Sequence, residues 1–166
     1  MRLRHVLLAF VAASQMASAA PNLDNPAIDA QAYVRLVGEA AAHRESRRIS
    51  EDEFIRLSRL PGTVVLDARS RPKYDALHVR GAMNLNFSDL TVDSLAATVP
   101  DKNARILIYC NNNFRDAPDP FPSKLPPAAL NLATYTTLYT YGYRNVYELG
   151  PLLEVATTRI ELERSR

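Results

Sequence analysis

The sequence predicts an α/β domain built on a central, mostly parallel sheet with helices on both faces. Three observations carry that expectation. The runs "TVVLD" and "ARILIYC" are apolar along their length rather than alternating, as strands covered on both sides are. Segments with helical start and stop signals separate the apolar runs. Short turns join the two kinds of element, and strand–helix alternation of this sort is the pattern of a covered parallel sheet.

In chain order, "PNLDNPAIDA" reads as a loop, and Ile28, Ala32, Leu36 and Ala40 suit a short helix. "ISEDEFIRLSRL" opens on Ser50 with Glu53 three residues on, a capping-box pattern, and presents Phe54, Ile55 and Leu57 on one side. Pro61-Gly62 ends it, and "TVVLD" follows as a strand. "RPKYDALH" is expected as a helical turn, "AMNLN" as a strand, and "SDLTVDSLAATV" as a helix capped near Ser88. After "ARILIYC", the most apolar strand, "PAALNLATYTTLYTYG" reads as a helix opened by Pro126-Pro127 and stopped by Gly142. "NVYEL" is the last strand, and "LLEVATTRIELERSR" reads either as a helical tail or as a segment that frays. Tyr135, Tyr139 and Tyr141 are spaced for helix packing. "AAHRESRR", His43 included, reads as a solvated face.

At 166 residues the chain is long enough to bury a sizeable core without metal or disulfide staples. A basic opening "MRLRH", the apolar "VLLAFVAA" and Ala17-Ser18-Ala19 have the layout of a secretory signal peptide. Export, with a periplasmic destination, is the expectation. The apolar run is well short of the roughly 20 residues a membrane helix needs, so no membrane span is expected after cleavage. The leader holds Arg2 and Arg4 and no acidic residue, so the 20 basic and 18 acidic residues of the whole chain balance once it is removed. A near-neutral chain gives no footprint for nucleic acid.

Cys110 is the only cysteine, and no internal bridge can use it. In an oxidising compartment such a thiol is buried and inert, shared between chains, or reactive. Its position favours the last. It ends the most apolar strand, and in sheets of this kind ligands collect at the carboxyl ends of strands. "NNNFR" follows it, and asparagine enters the left-handed backbone region more readily than most residues, as a tight anion-binding turn requires.

From about Arg48 to Pro151 the chain resembles a rhodanese-type sulfurtransferase domain. The resemblance lies in "VVLDARS" with Asp67 and Arg69, "HVRGAMNL" with His78, "ILIYC", and the closing "YGYRNVYELGP". It implies the rhodanese-like fold, with Cys110 as nucleophile and Asn111, Asn112, Asn113, Phe114 and Arg115 as the loop that holds the substrate. Asp67, Arg69 and His78 read as structural support: an ion pair under the loop, and a histidine that orders the next turn. The implied reaction takes sulfane sulfur from a small donor such as thiosulfate onto Cys110 as a persulfide, then passes it to a thiophilic acceptor. Neither metal nor organic cofactor is implied. The alternative is the same fold acting as a binding or sulfur-relay module on a protein acceptor. Related phosphatases carry a loop one residue longer, so phosphate hydrolysis ranks below both.

The organisation expected is therefore a leader at 1–19, a helical extension at 20–47, the rhodanese-like domain at 48–151 and a tail at 152–166. The chain departs from the family pattern at several points. Asn113 stands where the family loop has glycine, and the closing Gly-Gly and later tryptophan are missing. "DAPDPFPSKLPPAA", residues 116–129, is inserted after Arg115 with five prolines between Pro118 and Pro127. The insert reads either as a flap with Phe121 as apolar lid and Lys124 as rim charge, or as a surface elaboration. Proline lacks the N–H a helix start would aim at a thiolate, so a displaced helix would leave the turn alone to support the anion.

Overall fold

A computed structural model describes residues 25–165. The expected leader lies outside these residues. The elements in chain order are α1 (Ala30–Glu45), β1 (Arg48–Ile49), α2 (Glu51–Ser58), β2 (Thr63–Asp67), α3 (Arg71–Ala76), β3 (His78–Val79), β4 (Met83–Asn84), α4 (Val92–Thr98), β5 (Arg105–Tyr109), β6 (Phe114–Arg115), α5 (Leu130–Thr140), β7 (Val146–Leu149), β8 (Leu153–Glu154) and β9 (Leu162–Glu163). Five strands form the central sheet in the order β1-β7-β5-β2-β4, and every pairing is parallel.

The two faces follow from the period of the strands. On β5, Ile106 and Ile108 point to one side, where they join Leu66, Leu95, Leu138 and Ala40 under α1, α4 and α5. Leu107 and Tyr109 point to the other, against Phe54 and Leu57 of α2. All four β5 side chains are essentially out of water. At about 25 cal/mol per Å² of apolar area buried, such doubly covered strands supply much of the driving force for folding. The expected covered parallel sheet is the one observed.

Local chemistry sets the element ends. Asp29 caps α1 by accepting from the Ala32 N–H at 2.8 Å, and Ser50 caps α2 by accepting from the Glu53 N–H at 3.2 Å. The second half of the expected capping box is not made, because the Glu53 carboxylate takes Arg56 instead, at 2.7 and 2.6 Å. The helix expected to start near Ser88 starts later: Phe87–Asp89 is a 3₁₀ turn, and Thr91 caps α4 in a reciprocal box with Ser94. Gly142, at φ 89°, ends α5.

The tail neither continues as a helix nor frays. β8 pairs in parallel with β6, β9 pairs antiparallel with β3, and Ile160 is buried between them and α2. Glu51 fixes the intervening turn by accepting from the Thr158 hydroxyl at 2.6 Å and the Arg159 N–H at 2.7 Å. His43 is not solvated either. Its Nδ1 lies 2.8 Å from the Tyr135 hydroxyl, in the seam between α1 and α5.

Candidate active site

β5 carries the alternation one residue past its end, so Cys110 turns toward the α1 and α5 side of the sheet. It is extended, at φ −147° and ψ −171°, and opens a 3₁₀ turn over Asn111–Asn113. The thiol is buried, yet it lines a cavity of about 140 Å³ whose other walls include Arg44, Asn112, Asn131, Glu148 and Gly150. A Cβ on Gly150 would come within 3.2 Å of the Ile49 carbonyl, so glycine suits the tight floor of this cavity.

Asn113 ties the loop to its surroundings. Its Oδ1 accepts from the Cys110 N–H at 2.9 Å and from Asn131 Nδ2 at 3.0 Å. Its Nδ2 donates to the Leu149 carbonyl at 2.7 Å and the Pro151 carbonyl at 3.2 Å. One side chain thus joins the thiol's own backbone to the end of β7 and the start of α5. Asn112 does the same for the insert, donating to the Lys124 carbonyl at 2.7 Å and accepting from the Lys124 N–H at 3.2 Å. The asparagines are therefore used for their amide groups. They do not take the left-handed backbone expected of them: among the described residues the only non-glycine at positive φ is Asp116, at 66°.

The backbone N–H groups of Asn131, Asn112 and Leu130 favour the charged form of the sulfur. Two belong to the first turn of α5, where unpaired N–H groups and the helix dipole favour negative charge. The prolines of the insert do not displace that helix start, because Pro126 and Pro127 lie in a separate 3₁₀ turn ahead of it. Burial pushes the Cys110 thiol up, the three amides pull it down, and the Glu148 carboxylate pushes it up again. Burial is the largest of these effects and leaves the thiol above its ordinary range. The amides stabilise charge when it develops.

The other expected site residues divide. Phe114 is core rather than loop lining: it sits edge-on to Tyr109 and against Phe121, with ring centroids 6.0 and 4.6 Å apart. Phe121 is core as well, not a lid. Arg115 is exposed, pairs with Glu154 and is not a wall of the Cys110 cavity. Lys124 and Asn111 line a second cavity, about 400 Å³, with Ser70, Lys73 and Ser88. Asp67 and Arg69 form a buried ion pair on the sheet face opposite the thiol, with Arg69 Nη2 2.6 Å from Asp67 Oδ2. The Tyr109 hydroxyl donates to the same carboxylate, and Arg69 Nη1 donates to the Pro120 carbonyl at 2.9 Å. That cluster anchors the insert. His78 stacks on Tyr74 with ring centroids 3.7 Å apart, its Nδ1 2.7 Å from the Tyr74 carbonyl, and orders that turn.

Three residues of the cavity escaped sequence reasoning. Glu148 was detectable as an acidic residue within an otherwise apolar strand. Arg44 was hidden in a charged stretch of ordinary helical appearance, and Asn131 carried no signal. Among the described residues there is no cluster of His, Cys, Asp and Glu that could hold a metal ion, and no helix long and apolar enough to cross a membrane.

A parallel α/β sheet that presents a thiol at the end of its central strand, within reach of helix-start amides, defines a single-cysteine α/β domain. The rhodanese-like domain family matches residues 50–149, and the chain belongs to that family. The thiosulfate sulfurtransferase PspE of Escherichia coli is 25% identical over 96 residues, which cover 58% of this chain and 77% of that protein. The rhodanese-like domain of an Anabaena protein superposes with a TM-score of 0.50 at 22% identity, covering 71% of this chain and 79% of that one. A thiosulfate sulfurtransferase from Pseudomonas aeruginosa gives 0.51 at 19% identity, covering 79% of this chain and 23% of that one. The two structural likenesses bear on the fold.

Proposed function

We propose that the protein is a sulfurtransferase that carries sulfane sulfur on Cys110. The observation that supports this most is the sulfur's setting: a strand-end thiol lining a small cavity together with the first turn of α5. In the first half-reaction the Cys110 thiolate attacks the outer sulfur of a donor such as thiosulfate. The donor's S–S bond breaks, sulfite leaves with the electron pair, and Cys110 holds a persulfide. In the second, a thiophile such as cyanide or a thiol takes the terminal sulfur and the thiolate is regenerated. The persulfide is anionic, and the amides of Asn112, Leu130 and Asn131 supply hydrogen bonds to it in a setting poor in water. No oxidant or cofactor enters the balance.

The family relationship and the sulfurtransferase relative support this reading of the chemistry. The leader-like Met1–Ala19 supports export as the setting in which it operates. The test is turnover: mature protein, thiosulfate and cyanide should release thiocyanate and sulfite in equal amounts, and Cys110→Ser should release neither. Thiocyanate release that survives Cys110→Ser would remove Cys110 from the reaction.

A further inference from the structure

Two of the walls of the Cys110 cavity are charged, Arg44 and Glu148. Arg44 stands in the last turn of α1, outside the residues 50–149 that match the family. Glu148 lies on β7 in register with Ile108 of β5, facing the same side as the thiol, and is 4% exposed. A carboxylate there opposes any chemistry that passes through a thiolate or a persulfide, because like charges in a water-poor site repel strongly. Arg44 meets it in a fork: Nη2 donates to Oε1 at 2.6 Å and Nε donates to Oε2. A guanidinium holds its charge at every working pH, and the two-pronged geometry fixes the carboxylate as well as neutralising it.

We propose that Arg44 is a positioning residue for Cys110: by clamping Glu148 it withholds that carboxylate's charge from the sulfur, so the reactive centre is complete only with α1 docked. The purpose of this arrangement rests on the sulfur-transfer reading above, but the arrangement itself is read from thiol reactivity alone. The other groups around the thiol are neutral where the thiol titrates. His43, also on α1, is bonded to Tyr135, and burial, Arg47 and Arg144 hold its basicity down. Tyr135 of α5 is pushed up to about 12, chiefly by burial. The loop contributes only asparagine amides.

The experiment is the pH dependence of Cys110 alkylation by iodoacetamide, a neutral reagent, in wild type, Arg44→Met, Glu148→Gln and the double variant. Each profile is normalised to its own high-pH plateau, so altered access to the cavity does not enter the midpoint. Arg44→Met should move the midpoint up by about one pH unit, a roughly tenfold loss of rate below it, as an uncompensated charge within several ångströms does. Glu148→Gln should move it down, and the double variant should return to within about a factor of three of wild type. An unchanged midpoint in Arg44→Met overturns the proposal. So does a double variant as slow as Arg44→Met, since Arg44 would then act through its own charge on the sulfur or by docking α1, and not through Glu148. If Arg44→Met does not fold, Glu148→Gln decides: a midpoint that stays put shows that the carboxylate does not reach the sulfur. A protein that alkylates as expected but takes no sulfur from thiosulfate would remove the proposed function and leave this inference standing.

Discussion

Replacing Asn113 with alanine removes the four hydrogen bonds that join the thiol's loop to β7 and α5. Two of the partners are buried main-chain groups, the Cys110 N–H and the Leu149 carbonyl, and alanine offers them nothing in exchange. A buried polar group stripped of its partner costs about 1–3 kcal/mol, whereas the Pro151 carbonyl, at 3.2 Å and part-buried, can turn to water. The sum is a loss of about 2–6 kcal/mol. For a domain of this size that lowers the melting temperature by roughly 6–20 °C. Urea titration followed by circular dichroism measures it, with an unchanged slope showing that the unfolded state is the same. Asn113→Asp should fare no better near neutral pH, because its second oxygen would face two carbonyls with nothing to donate. A loss below about 1 kcal/mol for alanine would refute the reasoning and place the loop's stability in its own backbone and in the insert.

Three further outcomes follow from the contacts described. Arg69→Met leaves the Asp67 carboxylate buried without its partner and should cost about 3–5 kcal/mol in the same urea assay, and a near-neutral result would show that the pair is dispensable. Arg115→Ala removes only an exposed pair with Glu154, so stability should change by less than about 1 kcal/mol and sulfur uptake from thiosulfate should be unaltered. A tenfold drop in uptake would restore Arg115 to the site. Burial works to raise the Glu51 carboxyl, but hydrogen bonds from Thr158 and Arg159 and the Arg159 charge outweigh it and hold it below the ordinary range. Its folded value is the depressed one, so its contribution is complete above about pH 4.5 and is lost as pH falls through that lower value. Amide protection factors at Ile160 and Leu162, corrected for the intrinsic pH dependence of exchange, should therefore fall on acidification before those of the sheet, and Glu51→Gln should blunt that pH dependence.

The parallel sheet was readable because two strands are apolar on both faces, which only a doubly covered position explains. Cys110 was readable because an abrupt change from "ILIY" to polar residues marks a strand's carboxyl end. Side-chain direction was not. Phe114 and Arg115 follow the cysteine in sequence, but β6 turns away and pairs with β8, so one enters the core and the other the surface. Nothing local in "NNNFRD" specifies that pairing. It depends on a tail whose strands are two residues each, too short to show a period. The role of the asparagines was misjudged for a related reason. A backbone argument applies to each residue alone, whereas Asn113 is fixed by groups 18, 36 and 38 positions away. Arg44 shows the same limit. Its helix reads as weakly amphipathic and charged, and only its docking on α5 and β7 brings the guanidinium to the thiol.

Sulfur transfer by this protein requires that Cys110 accept and hold one transferable sulfur. Intact-mass measurement of the protein after thiosulfate, and again after cyanide, reads this out. The expected result is a gain of one sulfur atom, located on the Cys110 peptide, released by cyanide and absent from Cys110→Ser. An unchanged mass with thiosulfate and with alkyl persulfide or polysulfide donors would contradict it.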